Sequence, residues 1–139
     1  MVKKILLSLL VFMFMISTGE AANLANRAEI QSIRYDYGAG TVRIILDLTK
    51  KIDYQETSAE NPSRSVIYIK NAWIDSDDEI EEKLESTAAK RMTIRQVNQN
   101  TVVFTVETMA AIHVFGREGG PSGYRLFIDV GNAPFQKTV

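Results

Sequence analysis

One short pattern occurs twice in this chain, and it restricts the fold more than any other feature. Residues 64–72 read R-S-V-I-Y-I-K-N-A, and residues 125–133 read R-L-F-I-D-V-G-N-A. Arg, Ile, Asn and Ala recur in the same places, and Ile69 and Val130 are near-equivalents. Apolar and polar positions alternate in both, which is the period of a β-strand. The rest of the chain follows the same spacing of about 60 residues, the mark of a two-unit chain. Ile94-Arg95 echoes Ile33-Arg34. Thr101–Thr108 echoes Thr41–Leu48, with Val102, Phe104 and Val106 in the inward places of Val42, Ile44 and Leu46, and Glu107 in the place of Asp47. Ile112–Phe115 echoes the weaker strand Ile52–Glu56, and the Gly119–Gly123 loop echoes Asn61-Pro62-Ser63.

Two units are too few for a solenoid. A duplicated four-strand motif that buries one face of each copy against the other predicts an all-β, pseudo-symmetric β-sandwich of two small sheets. The two units join through residues 75–91. There Ser76 and Glu79 have capping-box spacing, Ile80, Leu84 and Ala88 form a stripe at helical spacing, and Lys90 and Arg91 close the stretch. These signals predict one short connecting helix near 77–89. Trp73, just before it, is expected to plug the core between sheet and helix. Pro62 biases Asn61 to extended geometry.

The expected organisation is a signal peptide over 1–21, an exposed lead-in over 22–29, one domain over 30–134 and a tail over 135–139. Within the domain, unit one spans 30–74, the connector 75–91 and unit two 92–134. Lys3 and Lys4, the apolar run Ile5–Ile16 and small Gly19 and Ala21 make the secretory signal. The run is shorter than the roughly 20 residues that span a bilayer, so no stable membrane anchor is expected. The chain has no cysteine, which removes disulfides, thiolate metal sites, a cysteine nucleophile and a lipid-anchored cysteine. An exported protein of the periplasm or cell envelope, of bacterial type, is the expectation.

Charge is unevenly placed. Asp75, Asp77, Asp78, Glu79, Glu81, Glu82 and Glu85 crowd one segment against Lys83 alone, and the remainder is mildly basic. That is no nucleic-acid footprint, which needs clustered Lys and Arg. It does let the body meet an anionic polymer.

Catalytic signals are poor. His113 is the only histidine, and a zinc hydrolase needs several ligands. It reads as a partly buried strand residue. The glycines of 116–123 lack the Lys-Ser/Thr end of a phosphate loop. Asp75-x-Asp77-x-Glu79 continues with Ile80 where a calcium loop needs glycine. No enzyme, metal or cofactor is expected. A binding surface fits better. Arg43 and Asp47 share the outward side of their strand, as do Arg64 and Tyr68, and Arg125, Phe127 and Asp129. Guanidinium forks suit carboxylates and aromatic faces suit sugar rings. The bland alternative is cross-strand pairing of Arg43 with Asp47 or Asp129, with about 0.2–1 kcal/mol each.

The opening Ile33-Arg34, the strand Gly40–Asp47, the stretch Asn61–Ile67 and the closing Gly123–Val130 together resemble the AMIN domain. That is the non-catalytic N-terminal module of bacterial N-acetylmuramoyl-L-alanine amidases, also found in pilus secretins and standing alone. The resemblance covers residues 28–134. It implies two pseudo-symmetric sheets and a module that holds envelope proteins on peptidoglycan or a related envelope glycan. A cell-wall amidase or a secretin-type protein is the implied partner, and a protein-interaction adaptor is the alternative role. This sequence departs from the pattern at Tyr68, where the family usually has Asp, and at Val103, where the first copy has Arg43. The two halves are therefore not expected to bind equally. No amidase domain follows within the sequence, so amidase activity is not expected.

Overall fold

The computed structural model describes Leu24 and residues 26–137. The expected signal peptide lies outside the described residues. From Ala28 onward every regular element is a strand: β1 (Ala28–Gly38), β2 (Thr41–Leu48), β3 (Asp53–Ala59), β4 (Arg64–Lys70), β5 (Ala72–Ile74), β6 (Ile80–Lys83), β7 (Arg91–Asn98), β8 (Thr101–Glu107), β9 (Ile112–Glu118) and β10 (Tyr124–Val130). They form two five-stranded sheets, ordered β5-β1-β2-β10-β9 and β3-β4-β8-β7-β6. All neighbours run antiparallel except β1 and β5.

Each sheet takes strands from both halves of the sequence. β9 and β10 complete the sheet that β1 and β2 begin, while β3 and β4 join β7 and β8. The registers run in step. Val42 faces Val130 across β2–β10, and Val102 faces Ile69 across β8–β4. Asp47 faces Arg125 in the first sheet, and Glu107 faces Arg64 in the second.

Alternation decides what is buried. Val42, Ile44, Leu46 and Leu48 of β2 and Leu126, Ile128 and Val130 of β10 point to one side. They join Ile67 and Ile69 of β4 and Val102, Phe104 and Val106 of β8 in one apolar cluster. Each such side chain contributes about 1.5–3 kcal/mol on full burial. β2 lies in the middle of its sheet. For that reason Ile45 and Asp47, on its other side, are buried as well.

The connecting helix is absent. Residues Ile80–Lys83 are instead an edge strand against β7, with Ile80 opposite Ile94. Leu84, Ala88 and Ala89 then drop into the core from an irregular segment. The Ser76 hydroxyl donates to the Asp78 carbonyl at 2.8 Å, so no capping box forms. An isolated three-turn helix is marginal in water, and pairing with β7 satisfies the backbone while still burying the same apolar residues. Glu81 pairs with Arg91 at 2.7 Å, which sets the acids against cations of the neighbouring strand.

Other expectations shift with it. The lead-in is shorter, because Ala28 is fully buried and its N–H donates to the Asn71 carbonyl at 2.9 Å. The tail is docked: Lys137 bridges to Gly38 and Phe135 lies on Arg43. Trp73, with no helix to cover it, is half-buried in β5, with the Arg27 guanidinium 5.3 Å from its ring. Asn61 is not extended: its φ is 65°, and the Asn61–Pro62 bond is cis.

Candidate functional site

The side of the first sheet turned away from the core carries three rows of side chains across four strands. Asp36, Arg43, Asp129 and His113 stand in one row. Arg34, Ile45, Phe127 and Phe115 form the next. Ser32, Asp47, Arg125 and Arg117 form the third. Antiparallel pairing brings each set together, since directly opposite residues share a face.

In the first row, Arg43 grips Asp129 with two hydrogen bonds. Nε donates to Oδ1 at 2.7 Å and Nη2 donates to Oδ2 at 2.8 Å. This is the planar fork that matches a carboxylate. The bond to Asp129 raises the Arg43 pKa above its ordinary value, with burial opposing it. Three phenyl rings surround the guanidinium, at 4.6 Å for Phe135, 5.0 Å for Phe127 and 5.6 Å for Phe115. Phe115 and Phe127 stack on one another at 4.9 Å and 6°. Arg117 lies over the Phe115 ring at 5.5 Å and makes no ion pair among the described residues.

In the third row, Asp47 is only 2% exposed. It accepts from the Ser32 hydroxyl at 2.6 Å, from Arg34 Nε at 3.1 Å and from Arg125 Nε at 3.0 Å. Burial pushes its carboxyl up, but the bonds from Ser32, Arg34 and Arg125 and the charge of Arg34 outweigh burial and hold it below its ordinary value. Asp47 is therefore a buried anchor that aims two guanidinium groups.

An open groove of about 510 Å³ runs beside the first row, lined by Arg43, His113, Phe115, Asp129, Asn132 and Phe135 among others. Arg34, Arg43, Arg117 and Arg125 outnumber Asp36, Asp47 and Asp129 on this face by one, and Lys137 pairs with Asp36 at 3.6 Å, so it is locally positive. Aromatic faces and spare guanidinium donors can take a sugar ring and a carboxylate together.

The sequence-predicted residues divide. Arg43, Asp47, Arg125, Phe127 and Asp129 meet on this face. Arg64 and Tyr68 sit on β4 in the other sheet and do not join it. Arg64 lies opposite Glu107 and donates to the Pro62 carbonyl at 2.8 Å. Tyr68 lies opposite Val103, with Lys70 Nζ 5.8 Å from its ring. His113 is exposed rather than partly buried, with its ring 5.2 Å from Phe115. Phe115, Arg117, Phe135 and Arg34 belong to the face without having been singled out for it. The alternation His113-x-Phe115-x-Arg117 is the signal that could have found three residues of the face. Phe135 reaches it only because the chain folds back after β10.

Among the described residues no group of three or more His, Asp or Glu side chains comes together to hold a metal ion. A family model described as the AMIN domain matches residues 32–118. The match runs from Ser32 of β1 to Glu118 of β9 and stops before β10. No curated protein matches the chain.

Proposed function

This chain belongs to the AMIN domain family, a family of cell-envelope domains without catalysis, and we propose that it is an exported module that binds peptidoglycan or a related envelope glycan. In this reading the two sheets form a sandwich built from a duplicated unit, with binding confined to one outer face. The observation that carries it is Arg43, held by Asp129 and ringed by Phe115, Phe127 and Phe135 at the edge of an open groove. The rings offer flat surfaces to sugars, and Arg117 and the spare donors of Arg43 offer partners to stem-peptide carboxylates. The other sheet has Val103 and Tyr68 in the places of Arg43 and Asp129, so it lacks this fork. Localisation follows from the charged and apolar leader, which directs the chain to the periplasm or envelope.

Sedimentation with purified sacculi tests the reading. Wild type should pellet with sacculi at low salt. Phe127→Ala and Arg117→Ala should shift protein to the supernatant, while Tyr68→Ala should not. Wild type remaining in the supernatant would refute the proposal. Equal pelleting of all variants would refute the site.

A further inference from the structure

Among the described residues, β1 has an in-plane neighbour on its outer side only at its two ends. β5 pairs with it over Ala28–Ile30, and Lys137 bridges to Gly38. Between them, from Gln31 to Tyr37, the outer row of backbone N–H and C=O groups has no ladder partner among the described residues. Unpaired strand edges are templates for another strand, and proteins usually cover or guard them. The other sheet does cover its matching place. There β6 lies along β7, with Ile80 against Ile94.

The floor beside the open edge is built. A groove of about 520 Å³ lies along its first part, as far as Ile33, lined by Glu29, Ile33, Ile74, Asp75 and Ile80 among others. Ile33 and Tyr35 of β1 and Ile80 of β6 are only partly buried against the core, so apolar area remains exposed there. Glu82 alternates with Ile80 on β6 and acts on the Tyr35 hydroxyl. Apolar floor and acidic rim thus lie along a backbone edge with free hydrogen-bonding groups.

We infer that Gln31–Tyr37 is a strand-addition site for one extended segment of a partner protein, carrying apolar residues at alternate positions and a lysine or arginine beside them. The apolar side chains cover Ile33, Ile74 and Ile80. The cation meets Glu29, Asp75 and Glu82. A second folded copy of this chain is the poorer occupant, because its own acidic β6 would be carried against this one. The site adjoins the Arg43 face, to which Ser32, Arg34 and Asp36 of β1 contribute side chains, but it uses the backbone edge of β1 rather than those side chains or the ones of β9 and β10.

The test uses the synthetic peptide Lys-Ile-Lys-Ile-Lys-Ile and isotope-labelled protein. Amide shifts on titration should concentrate at Gln31–Tyr37 and β6. Methylating alternate backbone nitrogens of the peptide should abolish binding. Asp75→Lys with Glu82→Lys should weaken it by about tenfold or more while leaving melting and sacculus sedimentation unchanged. Shifts confined to the β3 or β9 edges, binding indifferent to N-methylation, or no binding would each overturn the inference. A β1-dependent dimer by light scattering would overturn it in favour of self-association. Because sacculus binding is read separately, failure here is distinguishable from failure of the glycan-binding proposal.

Discussion

Arg43 and Asp129 stand directly opposite one another on β2 and β10, and their counterparts in the other sheet, Val103 and Tyr68, also stand directly opposite one another. The two departures of the second pair from the first are therefore one event in space. An ion pair on one sheet is matched by an apolar–aromatic pair on the other. Removing either half of the ion pair alone leaves a half-buried charge without its partner. Asp129→Ala should cost about 1.5–3 kcal/mol of stability, the usual worth of hydrogen bonds to charged groups. Arg43→Val combined with Asp129→Tyr should recover most of that loss. Urea unfolding of the two single variants and the double variant gives the coupling energy. A strictly additive double variant would contradict the pairing argument.

Asp47 gives the acid limb of stability. Its folded pKa lies below its unfolded value of about 3.9, so its contribution is complete above that value. The contribution is lost as pH falls through the lower folded value, because the unfolded chain then binds the proton first. Wild type should lose stability steeply below about pH 4, and Asp47→Asn should flatten that part of the curve while lowering stability at neutral pH. Thermal melts from pH 2.5 to pH 7 compare the two directly.

Gly116 faces Leu126 on β10, and a Cβ placed on it would run into the phenol of Tyr124, a ring that cannot swing away as a flexible tip would. Gly116→Ala should therefore destabilise by about 1–3 kcal/mol through overpacking. Adding Tyr124→Leu should relieve part of it. If Gly116→Ala melts with wild type, the close approach is not real.

Phe104 is fully buried on β8, opposite Ile67 and Ile94. Phe104→Ala should cost about 3–5 kcal/mol, enough to unfold a marginal domain at moderate temperature. Thr41 lies at the other extreme. Its hydroxyl is buried with no hydrogen-bond partner among the described residues. Thr41→Val keeps the shape and removes the unsatisfied group, so its melting temperature should equal or exceed that of wild type.

Much of this was legible in the sequence where local pattern and tertiary demand agree. Val42, Ile44, Leu46 and Leu48 alternate because the pleat alternates, and they are core. The Arg43–Asp129 contact was readable as the ordinary cross-strand option. Other features depended on which strands become neighbours, and periodicity does not carry that. Asp47 is buried because β2 is central and receives Arg34 from one side and Arg125 from the other. Ile80, Leu84 and Ala88 satisfy a helical stripe as well as they satisfy a short strand followed by a buried loop, so their spacing does not distinguish β6 from a helix. Arg64 and Tyr68 were grouped with Arg125 and Asp129 by sequence equivalence. Equivalent positions in the two halves end on different sheets, so equivalence and proximity are different things here.

The exchange of strands between halves also sets an order of events in time. β2 pairs Val42 with Val130 and Leu48 with Tyr124, near the far end of the chain. A chain emerging from its N-terminus exposes β2 as an open edge until β10 arrives. No N-terminal portion can close its own sheet, and the long loops to be closed make the folding step slow relative to local structure. A nascent copy is thus held open until its last strand is delivered, and truncation anywhere before Val130 should yield a sticky, strand-exposing fragment rather than a smaller working domain.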